Sequence, residues 1–323
     1  VARFDVPRIE MRLLRLVPDR TSYDFVGKRV PAIGFSLLLF LIAIGALAVN
    51  GLNLGIDFRG GILIEAQSKE GEVDVAALRG QMGTLGLGEV ELQQFGGPRD
   101  ILIRVQQQEG GDAGQRDAIQ KVRNLLGDRY EYRRVELVGP TVGAELFRDG
   151  LIATALAILG ITLYVAFRFE WQFGVAALIA TFHDVLTTVG LYAVLQLEFD
   201  LTAVAALLTL AGYSINDTVV VFDRMREVLR KHKQADMKTI INMAVNDCLS
   251  RTVMTSLTTL VAILPLLVFG GSTLLNFTLA LTWGILIGTY SSVFVAAALI
   301  LYMKPLREQR SPGEGKPAAA AGR

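Results

Sequence analysis

Two carboxylates stand inside stretches of chain that are otherwise apolar. Asp217 lies in Gly212-Tyr213-Ser214-Ile215-Asn216-Asp217-Thr218-Val219, and Asp184 lies in Thr181-Phe182-His183-Asp184. A charge at the centre of a bilayer costs at least about 2.5–3.5 kcal/mol, so an acid kept there points to function. The chemistry it permits is proton binding. Burial and a nearby guanidinium push a carboxyl pKa in opposite directions. A buried acid that gains or loses an arginine neighbour as helices move can therefore exchange a proton near neutrality. Arg251 opens a later apolar run at a depth similar to that of Asp217, and its long stem could reach inward. Depth alone suggests this pair; the azimuth is not set by spacing.

Tyr213 and Ser214 precede Asp217 by four and three residues, which puts all three on one helical face, with Asn216 alongside. Ile215, Val219 and Phe222 occupy the other side. Such a polar stripe should face other helices or water rather than lipid. Asp184 falls near the midplane of its run. His183 adjoins it but projects about 100° away on an ideal helix, so the two need not pair. Behind Arg251 come Thr252, Thr255, Ser256, Thr258 and Thr259, a hydroxyl-rich stretch suited to close packing or a hydrated path. Plainer roles stand beside these. Asp184 could be an interhelical hydrogen-bond anchor, His183 a packing residue, and Arg251 a headgroup anchor.

The elements that carry these residues are membrane spans. Of 323 residues, 52% are hydrophobic, and they are clustered. Runs of about 18 or more residues with one charge or none can cross roughly 30 Å of hydrocarbon. Six are read: 30–49, 149–167, 173–195, 201–222, 252–270 and 276–302. The first is longer than a signal-peptide core and has no small-residue cleavage site after it. With one cysteine, Cys248, and two histidines, His183 and His232, neither an internal disulfide nor a metal cluster is expected. The net charge of +1 suggests no nucleic-acid partner.

Basic residues set the expected orientation. Segment 1–29 carries seven Lys or Arg against four acids, and 223–251 carries seven, including Arg224, Arg226, Arg230, Lys231 and Lys233. Lys304, Arg307 and Arg310 follow the last span in the tail, 303–323. The turns 196–200 and 271–275 carry none. Both termini and the segment 223–251 are therefore expected in the cytoplasm. The stretch 50–148 is then extracytoplasmic. It reads as strand (Gly61–Gln67), helix (Val75–Leu85), a hairpin (Val90–Phe95 and Asp100–Gln106), helix (Ala113–Leu126) and strand (Arg134–Val138). The fold class expected is thus a six-helix membrane protein with an α+β, ferredoxin-like βαββαβ domain between helices 1 and 2. Gly55, Gly60 and Gly61, around Asp57, allow a tight turn into that domain, and Gly139-Pro140 a rigid turn out of it. The glycines precede a strand, the reverse of a nucleotide-binding loop.

These segments also resemble a known family. Gly55-Ile56-Asp57-Phe58-Arg59-Gly60-Gly61 is similar to the Gly-x-Asp-Phe-x-Gly-Gly signature that follows the first span of SecD and SecF proteins. Val138-Gly139-Pro140 with Val142-Gly143-Ala144 resembles their second-span entry. Phe167-Arg168-Phe169-Glu170-Trp171, His183-Asp184, the stretch from Gly212 to Arg224, and Arg251-Thr252 resemble the SecF branch, in order and with matching spacing. The resemblance implies a member of the resistance-nodulation-division superfamily in the bacterial inner membrane. It would be no enzyme, hold no cofactor and use the proton gradient. It would act with SecD and the SecYEG channel on a translocating preprotein, with YajC and YidC as further candidate partners besides membrane lipid. In this family the residues matching Asp217 and Arg251 are implicated in proton passage, while the role of the one matching Asp184 is less clear. A proton-driven exporter of small molecules or lipids, or a purely structural subunit, are the alternatives. A full exporter would need two large external loops and about twice the length.

Overall fold

The computed structural model describes Pro18 and residues 21–303. Arg3, Arg8, Arg12, Arg15 and Arg20, and the tail from Lys304, lie outside the described residues. The first long helix, α1 (Arg29–Asn50), leads through a two-residue strand, β1 (Asn53–Leu54), and a single helical turn, α2 (Ile56–Arg59), into an α+β domain. The domain runs β2 (Gly61–Ser68), α3 (Val75–Gly83), β3 (Val90–Gln94), β4 (Asp100–Val105), α4 (Gly111–Leu126) and β5 (Tyr130–Val138). Then come α5 (Pro140–Arg168), α6 (Trp171–Leu195), the short strand β6 (Glu198–Phe199), α7 (Leu201–Lys231) and α8 (Met237–Phe269). The last long helix, α9 (Gly271–Ser291), widens into a π turn at Ser292–Ala296 and ends as α10 (Ala297–Tyr302). Among the described residues, six helical stretches are long and apolar enough to cross a membrane: α1, Val142–Arg168, α6, α7, α8 and Leu274–Tyr302.

The four-stranded sheet is antiparallel in the order β3-β4-β2-β5. Side chains alternate across a strand, and β2 buries both sets. Ile62, Ile64 and Ala66 pack with Leu78 and Met82 of α3 and Ala118, Val122 and Leu126 of α4. Leu63, with Leu102 of β4, packs on Ile56 from the other side. The sheet is therefore covered by its own helices on one face and by the junction with the bundle on the other. β5 starts at Tyr130, four residues ahead of the reading from sequence, because Tyr130 and Tyr132 join the domain core.

Within the bundle, α6, α7 and the last helix are largely buried, while α1, α5 and α8 present mostly exposed apolar surface. Small residues bring the inner helices together, as expected where no hydrophobic effect drives helix association. A Cβ at Gly190 of α6 would overlap Ala43 of α1, and one at Gly284 of α9 would overlap Leu210 of α7. Gly288, one turn on, leaves room for Ser214, whose Cβ lies 3.2 Å from where its own would be.

The segment 223–251, expected as a charged link, is mostly helix: α7 continues to Lys231 and α8 begins at Met237. Ion pairs hold these extensions once they leave the apolar layer. Lys231 pairs with Glu227 one turn back, and Arg224 pairs with Glu227 and, at 2.7 Å, with Asp247 of α8.

Gly190→Leu should lower the thermal unfolding midpoint of the detergent-solubilised protein, by overpacking worth about 1–3 kcal/mol. Gly160→Leu, where an added Cβ would meet nothing within 4 Å, should not lower it.

Candidate functional site

Asp184 is fully buried, and its carboxylate is met by donors from three helices. Oδ2 accepts from Ser214 Oγ of α7 at 2.5 Å and from Ser291 Oγ of α9 at 2.6 Å. His183 Nδ1 lies 3.0 Å from Oδ1. The two residues, which need not pair on an ideal helix, do come within hydrogen-bond distance, and the His183 Nδ1–H can donate to the acid. His183 Nε2 is buried without a partner among the described residues. Thr187 and Thr188 donate to the Asp184 carbonyl at 3.1 and 2.8 Å, which uses their hydroxyls within α6. Ser291 stands where the last helix widens into its π turn, a local deformation often found at functional sites.

Asp217 lies one turn beyond Ser214 on α7 and is 3% exposed. Its Oδ2 has no hydrogen-bond partner among the described residues. Arg251, through its charge, is the α8 cation that bears on this carboxyl, while the nearby Thr255 hydroxyl donates to the Thr252 carbonyl at 2.9 Å. No direct ion pair joins Asp217 to Arg251 among the described residues. Arg251 is exposed instead and lines a cavity of about 470 Å³ with Asp223, Arg224, Glu227 and Asp247, at the end of the bundle away from the α+β domain.

The polar stripe expected around Asp217 is divided. Ser214 serves Asp184, because a residue three positions back is rotated toward α6 and α9. Tyr213 is half-buried, and its hydroxyl reaches Ser256 Oγ at 3.4 Å. Ser256 in turn meets Thr289 of α9 at 2.6 Å. Asn216 is exposed on the flank. The structure thus brings Asp184 and Ser214 together and sets Asp217 beside α8, but it does not gather Tyr213, Ser214 and Asn216 around Asp217.

The turn residues differ in kind. Gly60 (φ 73°) and Gly61 (φ 120°) adopt left-handed backbone that other residues avoid. Gly55 and Gly139 do not, with φ of −69° and −74°. Gly55 is small for another reason: a Cβ there would stand 3.0 Å from Glu198 Oε1. Pro140 opens α5 at a position where a helix needs no N–H. Asp57 is not part of a simple turn: its Oδ2 accepts the Leu201 N–H at 2.9 Å, at the first residue of α7.

Sequence reasoning missed Ser291, Arg104 and Glu198. The signal for Ser291 was a Ser291-Ser292 pair deep in the last apolar run. Glu198 and Asp200 stood as the two acids in an otherwise uncharged turn, and spacing alone could not tie them to Arg104 on β4.

The model for the C-terminal part of protein export membrane proteins SecD/SecF matches residues 118–305, and the SecD/SecF GG motif model matches residues 45–72. The protein translocase subunit SecF of Cereibacter sphaeroides is 43% identical over 299 residues, covering 90% of this chain and 92% of that one. The SecF subunit of Magnetococcus marinus is 47% identical, over 88% and 93%. The translocase subunit SecDF of Brucella abortus is 40% identical, but the match spans only 39% of it. The crystal structure of SecDF from Thermus thermophilus, a translocon-associated membrane protein, superposes with a TM-score of 0.81 at 37% identity, over 89% of this chain and 39% of that one.

Ser214→Ala and Ser291→Ala each leave the Asp184 carboxylate one donor short. Each should destabilise the protein by about 1–3 kcal/mol, read as a fall in the thermal midpoint, whereas Asn216→Ala should not move it.

Proposed function

The chain belongs to the SecD/SecF family of protein-export membrane proteins, and from that premise we propose that it is a SecF-type subunit that works with SecD. Together they use the proton-motive force to draw preproteins out of the SecYEG channel, with YajC and YidC as accessory partners. It sits in the bacterial inner membrane with both termini cytoplasmic. The α+β domain, which we read as ferredoxin-like from its βαββαβ order, lies outside. The proposed role involves no ATP and no cofactor.

The observation that carries this reading is the contrast between the two buried acids. Asp184 is saturated with donors across α6, α7 and α9 and holds the helices in register. Asp217 is equally buried but has an oxygen left unsatisfied. An unsatisfied buried carboxylate is costly, and binding a proton removes that cost. Arg251, at the mouth of the cavity beside α8, is placed to approach Asp217 in another arrangement of the helices and so to change its proton affinity. The membrane potential supplies about 2.3 kcal/mol per charge per 100 mV for such a cycle.

In inverted vesicles containing the subunit, SecD and the channel, a proton gradient should drive completion of preprotein export after ATP is removed. Asp217→Asn should reduce that rate to the level seen without a gradient, at equal protein abundance. A gradient response equal to that of wild type would show that Asp217 only packs or hydrogen-bonds.

A further inference from the structure

The α+β domain is fastened to the bundle by more than its two covalent exits. Arg104 Nη2 of β4 lies 2.5 Å from Glu198 Oε2 of β6, the short link between α6 and α7. The pair therefore joins the domain's sheet to the two helices that carry Asp184 and Asp217. The same guanidinium meets Glu91 of β3 at 3.2 Å. Beside it β1 and β6 form a two-residue parallel ladder, and the Gly55 N–H donates to the Phe199 carbonyl at 2.9 Å. Asp57 and Asp200 both serve the N-terminus of α7, through Leu201 N–H at 2.9 Å and Ala203 N–H at 2.8 Å.

The Arg104 and Glu198 side chains are only 12% and 18% exposed. They nonetheless line a cavity of about 460 Å³ between domain and bundle, whose far wall carries Glu65, Arg134 and Glu136. The site is dry enough for a lost counter-charge to matter. We propose that the Arg104–Glu198 pair is a latch that holds the α+β domain against the α6–α7 link, and that loss of this ion pair releases the domain. The charged groups facing Glu198 are Arg104 from β4, Asp57 from α2 and Asp200 at the head of α7. Burial pushes the Glu198 carboxyl up; Arg104 opposes this, while Asp200 and Asp57 add to it. Because burial is what raises the carboxyl, a proton favours the buried, latched Glu198 over a solvated one, so acid alone does not open the latch, whereas reversing one of the two charges does. Arg104 stays charged and keeps Glu91, a residue of its own domain, so the guanidinium changes from a bridge into an internal contact. The latch rests on the export reading only for its purpose; its existence is a property of the junction.

The test places spin labels at Lys121→Cys on α4 and Leu274→Cys on α9, with Cys248 replaced by Ala, in the complex with SecD in proteoliposomes. Inter-label distances are read at neutral pH. Wild type should show a short population. Glu198→Lys, which sets two cations face to face, and Arg104→Glu, which sets two anions face to face, should each show a longer one, and the swap Arg104→Glu with Glu198→Arg should regain the short one. Asp217→Asn should keep the short population. The proposal fails if either single reversal keeps the short population, or if the swap does not restore it. A working latch combined with export insensitive to Asp217→Asn would sink the export reading alone.

Discussion

A carboxylate placed among apolar helices must be satisfied by the protein itself, because hydrocarbon offers no donors. Asp184 meets that demand with hydroxyls from α7 and α9 and an imidazole from its own helix. Its two serine donors come from different helices, so their hydrogen bonds fix the mutual depth and rotation of α6, α7 and α9. The small residues follow from this. Gly288 must be small for Ser214 to stand between α7 and α9, and Gly284 for Leu210 to do so one turn away. The polar knot and the close packing are one constraint seen twice.

That constraint fixes the position of Asp217 as well. With Ser214 committed to Asp184, helical geometry carries the residue three positions on toward α8, where the Arg251 charge bears on it. One helix thus presents a settled acid contact on one side and an unsettled acid on the other. Movement of α8 relative to α7 would alter the surroundings of Asp217 while leaving the Asp184 knot intact.

Much of this was legible in the sequence, for reasons that differ by element. The six apolar runs and the two intramembrane acids stand out because charge is so expensive in lipid. The order of strands and helices between the first two spans followed from alternating and helical periodicities. What was not legible depends on azimuth and on long-range contact. The spacing of Tyr213, Ser214 and Asp217 gave a shared face, yet nothing in α7 says that Ser214 prefers an acid on another helix. His183 was judged by its ideal projection, which does not say that its ring lies 3.0 Å from the Asp184 carboxylate. The length of α7 and α8 beyond the apolar layer rests on Arg224 meeting Asp247, a contact between helices that no local pattern announces.

The junction shows why the family signature around Asp57 involves more than turn geometry. Gly60 and Gly61 do need left-handed backbone, but Gly55 needs only to be small enough for Glu198 to lie against it. Asp57 reaches across to the first residue of α7. An acid at a helix N-terminus satisfies a free N–H and complements the helix dipole. Here that acid belongs to the turn that enters the α+β domain, so any rotation of the domain about its entrance acts on the end of the helix that carries Asp217. Arg104 and Glu198 make the same connection from the sheet side. Two independent contacts converge on the α6–α7 link, and neither passes through the covalent exit at Gly139. The domain is therefore tied by side-chain contacts, as well as by its covalent exits, to the head of the helix that carries Asp217.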